Sequence, residues 1–454
     1  MKMGPLPGKS VWRFCRAFVP LMLWAWGVAV AAGPEDPAPV RQAAADRRSG
    51  GADEPAAPEA AFHDQAEAAK KKKWDWRKFQ IKITDGKVKT TYSRKGLKIE
   101  SANGRHGGRL RWRLQSRYAY PFDKDPLKDE DYGIVAVNDY FMRRARIKSD
   151  GHFFGDFLKY NYEQSLRNGA LLNLYADVKI RDWFRIRGGQ WKSVFTRERF
   201  ISSGKQQFVE RSIVNRPFTL DRQAGISVFG RLMPGTRGDS WYHLELLTGT
   251  GRGNGFDDDG PMLVGRYEWN FLGRALAFSS SDLEYHESPA ASVAIAAARN
   301  RSRYTRFSGS GGGQVEGFEP GEPGQYSLKQ VQGEFFLKYR GLSIQNENHW
   351  KNIYDHVNRK STDLRGAYAQ AGYFPHYVWK KVPKAVEVGY RYAFVDRNVG
   401  VPGTLMQEHT VVVNVFIEGH DNKLSFEVGR VSLARVNQPD LGELRYRFQW
   451  DVSF

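Results

Sequence analysis

Apolar and polar residues alternate along most of the chain beyond Trp76. At the C-terminal end, an apolar residue stands at every second position from Leu444 to Phe454, with polar residues between them. Successive residues of a β-strand point to opposite faces, so this segment predicts a strand with one apolar and one polar face. The apolar face would meet a core in a soluble sandwich. In a membrane barrel it would meet lipid, and the polar face would line a water-filled lumen.

The same alternation recurs in further segments, where basic residues share the polar face. The candidate lumen residues are Arg109, Arg111, Arg113, Arg117, Arg144, Arg146, Lys148, Arg185, Arg187, Arg445 and Arg447. Their apolar neighbours, such as Leu110, Trp112 and Ile147, are expected to face outward. Aromatic residues recur on these apolar faces, as interfacial girdles require, and closure would remove the edges of so long a sheet. Both features favour a membrane barrel over a sandwich.

The predicted fold is therefore all-β: a transmembrane antiparallel β-barrel over residues 76–454. At roughly 24 residues per strand and connection, this segment holds about 16 strands, with 18 as the alternative. Phe454 closes an amphipathic strand, which resembles the signal by which the barrel-assembly machinery recognises its substrates.

The N-terminal part of the chain predicts export. Residues 1–32 have the basic start, the apolar core and the small-x-small end (Ala29–Ala31) of a cleaved signal peptide. Residues 33–75 are rich in Ala, Pro and acidic residues and end in a lysine run, which predicts a disordered periplasmic tether. The location expected from these features is the outer membrane of a Gram-negative-type envelope.

Composition removes several classes of protein. The mean hydropathy of −0.58 excludes a helical membrane protein. The one cysteine, Cys15, lies in the leader, which excludes a disulfide scaffold, a Cys-zinc site and a cysteine nucleophile. The formal net charge is +19. Residues 1–32 carry four positive charges, and residues 33–69 hold eight acids and three basic residues, so +20 remains on residues 70–454. Export and alternation argue against nucleic acid as the partner of this charge.

Several segments from Arg185 onward resemble the phosphate-selective porin O and P family. They are Arg185–Lys192 (RIRGGQWK), Arg197–Arg199, Gln207–Ser212 (QFVERS) and Gly366–Phe374 (GAYAQAGYF), in the family's order. The resemblance spans roughly Arg109 to Phe454. It implies a 16-stranded outer-membrane barrel, usually a homotrimer, in which a loop folded into the lumen forms the constriction.

By its place in the chain, the constriction loop is expected at about Phe195 to Arg222. Its candidate ion-contacting residues are Arg197, Arg199, Lys205 and Arg211.

The polar wall itself favours a passive channel for anions. Arginine offers paired donors that match phosphate, carboxylate or sulfate oxygens, and a basic lumen concentrates anions and repels cations. The expected permeants are inorganic phosphate, polyphosphate or other small anions, with outer-membrane lipid around the barrel. No catalytic residue, metal or cofactor is expected. The alternatives are a structural barrel tethered to the cell wall and, less favoured, an outer-membrane enzyme barrel, for which no nucleophile-elbow motif is present.

Overall fold

The computed structural model describes residues 80–93, 95–127, 129–133, 138–253, 255–257, 260–308 and 310–454. The predicted signal peptide, 1–32, and the predicted tether, 33–75, lie outside these residues. Within the described residues, no helix is long and apolar enough to cross a membrane.

The described chain is built almost wholly of antiparallel strands. They are β1 (Gln80–Asp85), β2 (Val88–Ser93), β3 (Gly96–Ser101), β4 (Gly107–Tyr120), β5 (Asp139–Phe153), β6 (Leu158–Ser165), β7 (Leu171–Arg181), β8 (Phe184–Lys192), β9 (Arg222–Leu232), β10 (Ser240–Leu247), β11 (Met262–Trp269), β12 (Ala290–Ser302), β13 (Arg306–Ser308), β14 (Gly311–Gly313), β15 (Tyr326–Tyr339), β16 (Leu342–Asp355), β17 (Lys360–Tyr373), β18 (Val386–Asp396), β19 (Leu405–Glu418), β20 (Asn422–Leu433) and β21 (Leu441–Ser453). Two short α-helices, α1 (Arg197–Phe200) and α2 (Asn215–Phe218), and two 3-10 turns, Asp129–Asp131 and Pro375–Tyr377, complete the set.

Sixteen of these strands, β4–β12 and β15–β21, form a closed barrel. Each strand pairs with the next, and β21 pairs with β4, so that the sheet has no free edge around the ring. At this seam the Trp112 amide donates to the Phe454 carbonyl at 2.8 Å, and the Phe454 amide donates to the Trp112 carbonyl at 3.0 Å. The predicted barrel and the count of about 16 strands are confirmed.

The first three strands lie outside the ring. β3 pairs on one side with Gly107–Leu110, the part of β4 that extends past the end of β21, and on the other side with β2, which pairs with β1. The closed ring begins with β4, because β21 pairs with β4 and not with β1–β3.

The two faces of each strand follow the predicted alternation. On β4, Arg113 and Arg117 point inward and are 4% and 0% exposed, whereas the outward Tyr118 and Tyr120 are each 37% exposed. The register places Arg111 opposite Lys148 on β5, so the basic faces of these strands are continuous. Inward charge and outward apolar surface are the pattern of a pore in lipid.

Long connections mark one end of the barrel as extracellular, since outer-membrane barrels have long outer loops and short inner turns. The described residues of the connections that follow β4, β8, β10 and β12 lie at this end. One long connection, 270–289, lies at the opposite end and folds back into the lumen. Its Ser280 amide donates to the Lys205 carbonyl at 3.0 Å, and its Phe278 ring lies 4.6 Å from the Phe200 ring.

Candidate functional site: a basic cavity beside the constriction loop

The connection between β8 and β9, residues 193–221, enters the barrel and is almost entirely buried there. It begins with helix α1, whose Thr196 hydroxyl accepts a hydrogen bond from the Arg199 amide at 3.2 Å and so satisfies a free N–H of the first turn. Helix α2 lies near its end. This segment agrees with the loop expected at about Phe195 to Arg222, and it is called the constriction loop below.

One half of the inner wall holds the constriction loop with carboxylates. These glutamates come from six different strands, and each is 6% exposed or less: Glu268, Glu334, Glu347, Glu387, Glu408 and Glu427. The amides of Glu198, Val209 and Ile213 in the loop donate to Glu347, Glu427 and Glu408 at 2.6, 2.8 and 2.9 Å. A buried carboxylate is costly unless its oxygens are hydrogen-bonded, so the loop backbone and the wall stabilise each other.

The side chains of the constriction loop extend this anchoring. Arg197, which is fully buried, binds Glu268 and also donates to Glu334 at 3.1 Å. The Gln207 amide group donates to Glu387 at 2.7 Å. The loop thus covers the acidic half of the lumen. Four of the six glutamates pair with arginines, namely Arg197 of the loop and Arg391 and Arg447 of the wall.

The opposite half, formed by β4–β9, remains open and is lined by basic residues. A cavity of about 220 Å³ lies between this wall and the constriction loop. Nine basic side chains line it, against one carboxylate, that of Glu163; the nine are Arg111, Arg144, Arg146, Lys148, Arg187, Lys192, Arg199, Arg211 and Arg222. We call this space the basic cavity. Its polar neutral lining includes Asn161, Asn173 and Ser203.

Carboxylates set behind the lining orient several of these cations. The Asp177 carboxylate accepts two hydrogen bonds from the Arg187 guanidinium, at 2.6 and 2.8 Å. The Asp221 carboxylate accepts a bidentate pair of hydrogen bonds from Arg199 in the same way. Such forks fix the guanidinium plane while leaving its other N–H groups free to meet an anion.

Glu163 lies among three cations rather than beside one. Its carboxylate is 2.5 Å from Arg146, 3.4 Å from Lys148 and 3.6 Å from Arg222. The local charge of the basic cavity therefore stays positive, which would raise the concentration of anions within it.

Two of the lining cations contact the loop backbone instead of a carboxylate. Lys192 donates to the carbonyls of Arg199 and Phe200 at 3.0 and 2.7 Å, and Arg211 donates to those of Glu198 and Ile201 at 3.0 and 2.8 Å. The last carbonyls of a helix lack partners within it, so these cations cap the end of α1. They hold the loop in place while leaving positive charge at the cavity.

Two glutamates of the constriction loop, which itself does not span the membrane, have opposite electrostatic surroundings. Burial alone would raise the pKa of Glu210, but Arg144, Arg117 and Arg143 outweigh it and hold that pKa well below its ordinary value. Burial raises the pKa of Glu198 to about 7 against the opposing effect of Arg391. Glu210 is therefore a permanent anion that ties the loop to the basic wall.

The residues predicted from the sequence fall into three groups. Seven of them line the basic cavity: Arg111, Arg144, Arg146, Lys148, Arg187, Arg199 and Arg211. Five are buried in ion pairs that hold the barrel or the loop: Arg113, Arg117, Arg197, Arg445 and Arg447.

The last three predicted residues, Arg109, Arg185 and Lys205, belong to neither group. Arg109 lies on the inward face of β4 opposite Lys98 of β3. Arg185 lies 3.3 Å from Asp182 near the inner end of the barrel, and Lys205 is an exposed residue of the loop.

Sequence reasoning missed Lys192 and Arg222 as site residues. They stand directly opposite each other at the ends of β8 and β9, where the chain leaves the wall to form the constriction loop and returns to it. Their position at the two ends of the constriction loop could have identified them as site residues from the sequence. Among the described residues, no group of His, Cys, Asp and Glu side chains is arranged to hold a metal ion.

The contacts of Arg197 with the barrel wall predict how the channel changes when the constriction loop is released. Replacing Arg197 by Met removes the side chain that joins the constriction loop to β11 and β15. We expect a larger and noisier single-channel conductance, because the loop can then leave part of the lumen. Arg216→Met is the matched control, since Arg216 lies in the same loop but pairs with Glu316 of an outer loop. A conductance equal to that of the wild type would contradict the anchoring role of Arg197.

Comparisons with known proteins agree with this geometry. The family model for phosphate-selective porin O and P matches residues 113–440. A loop-deletion mutant of OmpT, an outer membrane protein of Vibrio cholerae, is 12% identical over 77% of this chain and 100% of its own, with a TM-score of 0.50. The outer membrane channel DcaP of Acinetobacter baumannii is 13% identical over 78% of this chain and 99% of its own, with a TM-score of 0.50. No curated protein sequence matches the chain.

The two solved structures share the fold, and the family model covers most of the barrel, including the constriction loop. The chain belongs to the phosphate-selective porin O and P family, and it forms an outer-membrane porin channel.

Proposed function

We propose that the porin is a passive channel that prefers small oxyanions, inorganic phosphate and polyphosphate first, and that the basic cavity is where they bind on their way through. The observation that supports this proposal is the division of the lumen into an acidic half and a basic half. The constriction loop covers the six wall glutamates, and the open space beside it is lined by nine basic side chains and one carboxylate.

The donor chemistry favours oxyanions over halides. A tetrahedral oxyanion can accept several N–H donors at once, and paired guanidinium donors match two of its oxygens. The cavity volume of about 220 Å³ is many times the space that one water needs, which leaves room for such an ion with part of its hydration.

The partial neutralisation of the lining suits passage. Asp150, Asp177, Asp221, Glu163 and Glu210 pair with seven of the nine cavity cations. The other two, Lys192 and Arg211, contact loop carbonyls, so no cavity cation is wholly free to trap an anion. Many weak contacts let an ion leave as readily as it enters. This arrangement supports transport without chemical conversion, in a barrel that we expect to assemble as a homotrimer after recognition of the strand ending in Phe454.

Phosphate block of chloride current tests the proposal. In bilayers with dilute KCl, phosphate added to one side should reduce the single-channel chloride current in a saturating manner, and glucose should leave it unchanged. Lys148→Gln, which removes a cavity cation, should weaken the block. Lys329→Gln, which changes a lysine on the outward face of β15, should leave it unchanged. Equal effects of phosphate and glucose would contradict the proposal.

A further inference from the structure

Two cations stand side by side on the outer wall of the barrel, away from the lumen. Arg299 of β12 and Lys329 of β15 are directly opposite in the strand register. Both side chains are exposed, between buried inward neighbours such as Asn300 and Gln330. Directly opposed residues of one sheet face have Cβ atoms about 5 Å apart, so the two positive charges are close neighbours.

No carboxylate of the described chain pairs with either charge. On the sides away from each other, Arg299 lies opposite Leu263 and Lys329 lies opposite Asn352. Like charges in opposed positions destabilise a sheet unless a counter-ion joins them. Elsewhere on this rim the exposed Arg365 does have such a partner, Asp396, at 3.4 Å. An anion from outside the chain would relieve the repulsion between Arg299 and Lys329.

The depth of the pair places it at a membrane surface. Tyr339, at the inner end of β15, and Lys329 share the outward face and are ten residues apart. At ~3.3 Å per residue and a strand tilt of about 40°, this separation is roughly 33 Å along the strand and about 25 Å along the membrane normal. The apolar band of an outer-membrane barrel is about 25 Å tall, so Lys329 lies at its outer boundary.

The surface below the pair is apolar and exposed. Val293, Ile295 and Val331 are 38%, 59% and 41% exposed on the outward faces of β12 and β15. A third outward arginine, Arg301, lies two residues above Arg299, with its Nε donating to the Gly324 carbonyl at 2.7 Å. Apolar surface with cations at its outer edge matches a lipid whose chains lie on the wall and whose phosphates meet the cations.

We propose that Arg299 and Lys329 bind the phosphate groups of a phosphorylated glycolipid of the outer leaflet. We favour a lipid over a second copy of the protein as the ligand. The exposed apolar strip with cations at its outer edge has the same order as the acyl chains and headgroup of a lipid. The site is separate from the lumen, so it stands or falls independently of anion transport.

Lipid binding to the purified full-length porin tests this proposal. The probes are diphosphorylated lipid A, the same lipid after enzymatic removal of its phosphates, and inorganic phosphate, and the readout is the lipid-bound fraction in native mass spectrometry. The diphosphorylated lipid should bind the wild type roughly tenfold or more tightly than the dephosphorylated one, and inorganic phosphate at equal concentration should not displace it. The comparison of the two lipids uses wild-type protein alone, so it holds even if a variant fails to fold.

The variants locate the site. Arg299→Gln with Lys329→Gln should lower the affinity for diphosphorylated lipid A about tenfold, and the matched control Arg365→Gln should leave it unchanged. Single-channel conductance of both variants should equal that of the wild type, which shows that the barrel is intact. Equal binding of the two lipids, or unchanged binding by the double variant, would overturn the proposal. So would loss of the wild-type oligomer in the double variant without a change in lipid binding, because the face would then be a subunit contact.

Discussion

Replacing both Arg111 and Lys148 by Glu should shift the ion selectivity of the pore from anions towards cations. The two residues are directly opposite on β4 and β5 and both line the basic cavity. Their reversal changes the charge of that space by four units. An ion about 4 Å from a unit charge gains or loses roughly 1 kcal/mol even in bulk water, so we expect the anion-to-cation permeability ratio to fall at least about tenfold.

The measurement is the reversal potential in a gradient of dilute KCl. Arg299→Glu with Lys329→Glu is the matched control, because it reverses the same two residue types, also directly opposed, on the outer face of the barrel. The control should keep the wild-type ratio. If the cavity variant also kept it, the lining would not set the selectivity.

Arg113 is not suited to this experiment, although the sequence places it on the same face. Its guanidinium is buried at the seam, where it donates to Asp451 and to the Ser203 hydroxyl. A glutamate there would face Asp451 across β4 and β21 and would act on barrel closure as well as on the pore.

Replacing Asp451 by Ala should destabilise the barrel at its seam. Asp451 is fully buried and receives Arg113 and Gln115 of β4, so it joins the last strand to the first strand of the ring. Removing one partner of a buried ion pair leaves an uncompensated charge and costs about 3–5 kcal/mol. We expect a loss of that size in the free energy of unfolding, measured by urea titration of the folded barrel in lipid.

A double variant separates the loss of the ion pair from general destabilisation by the substitution. Arg113→Met with Asp451→Leu removes both charges while keeping apolar volume, and it should recover most of the lost free energy. A change below about 1 kcal/mol in Asp451→Ala would contradict the structural role of the seam pair.

The local alternation of apolar and polar residues was enough to predict the fold and the residues of the inner face. A one-residue shift reverses every side chain of a strand, so the inward Arg111 and the outward Trp112 could be assigned from the period alone. Alternation is a property of neighbouring residues, and it therefore needs no knowledge of which strands pair.

The rest of the site depends on contacts that no local pattern reveals. The glutamates that hold the constriction loop lie on strands far along the chain; Ile213, for example, meets Glu408. An irregularity in the register between Gln115 and Ser116 lets the consecutive Arg143 and Arg144 both reach Glu210. A bulge of this kind breaks the period of two on which the prediction rested.

The inner connection 270–289 was missed for a related reason. Its polar run Ser279–Asp282 has the composition of an exposed turn, yet these residues are buried in the lumen. Ser281 donates to Glu387 at 2.8 Å, and Lys338 donates to Ser279 at 2.9 Å. A polar interior buries polar side chains, so hydrophobicity alone does not separate lumen segments from surface loops in a barrel of this class.

We expect the basic cavity to make the porin prefer anions. The wild-type reversal potential across a tenfold KCl gradient, with the dilute side near 10 mM, tests it most directly. At that ionic strength the Debye length is about 30 Å, and it shrinks to about 3 Å at 1 M. We predict an anion-to-cation permeability ratio well above one in dilute salt, and the ratio should fall as the salt concentration rises. A ratio near one in dilute salt would contradict it.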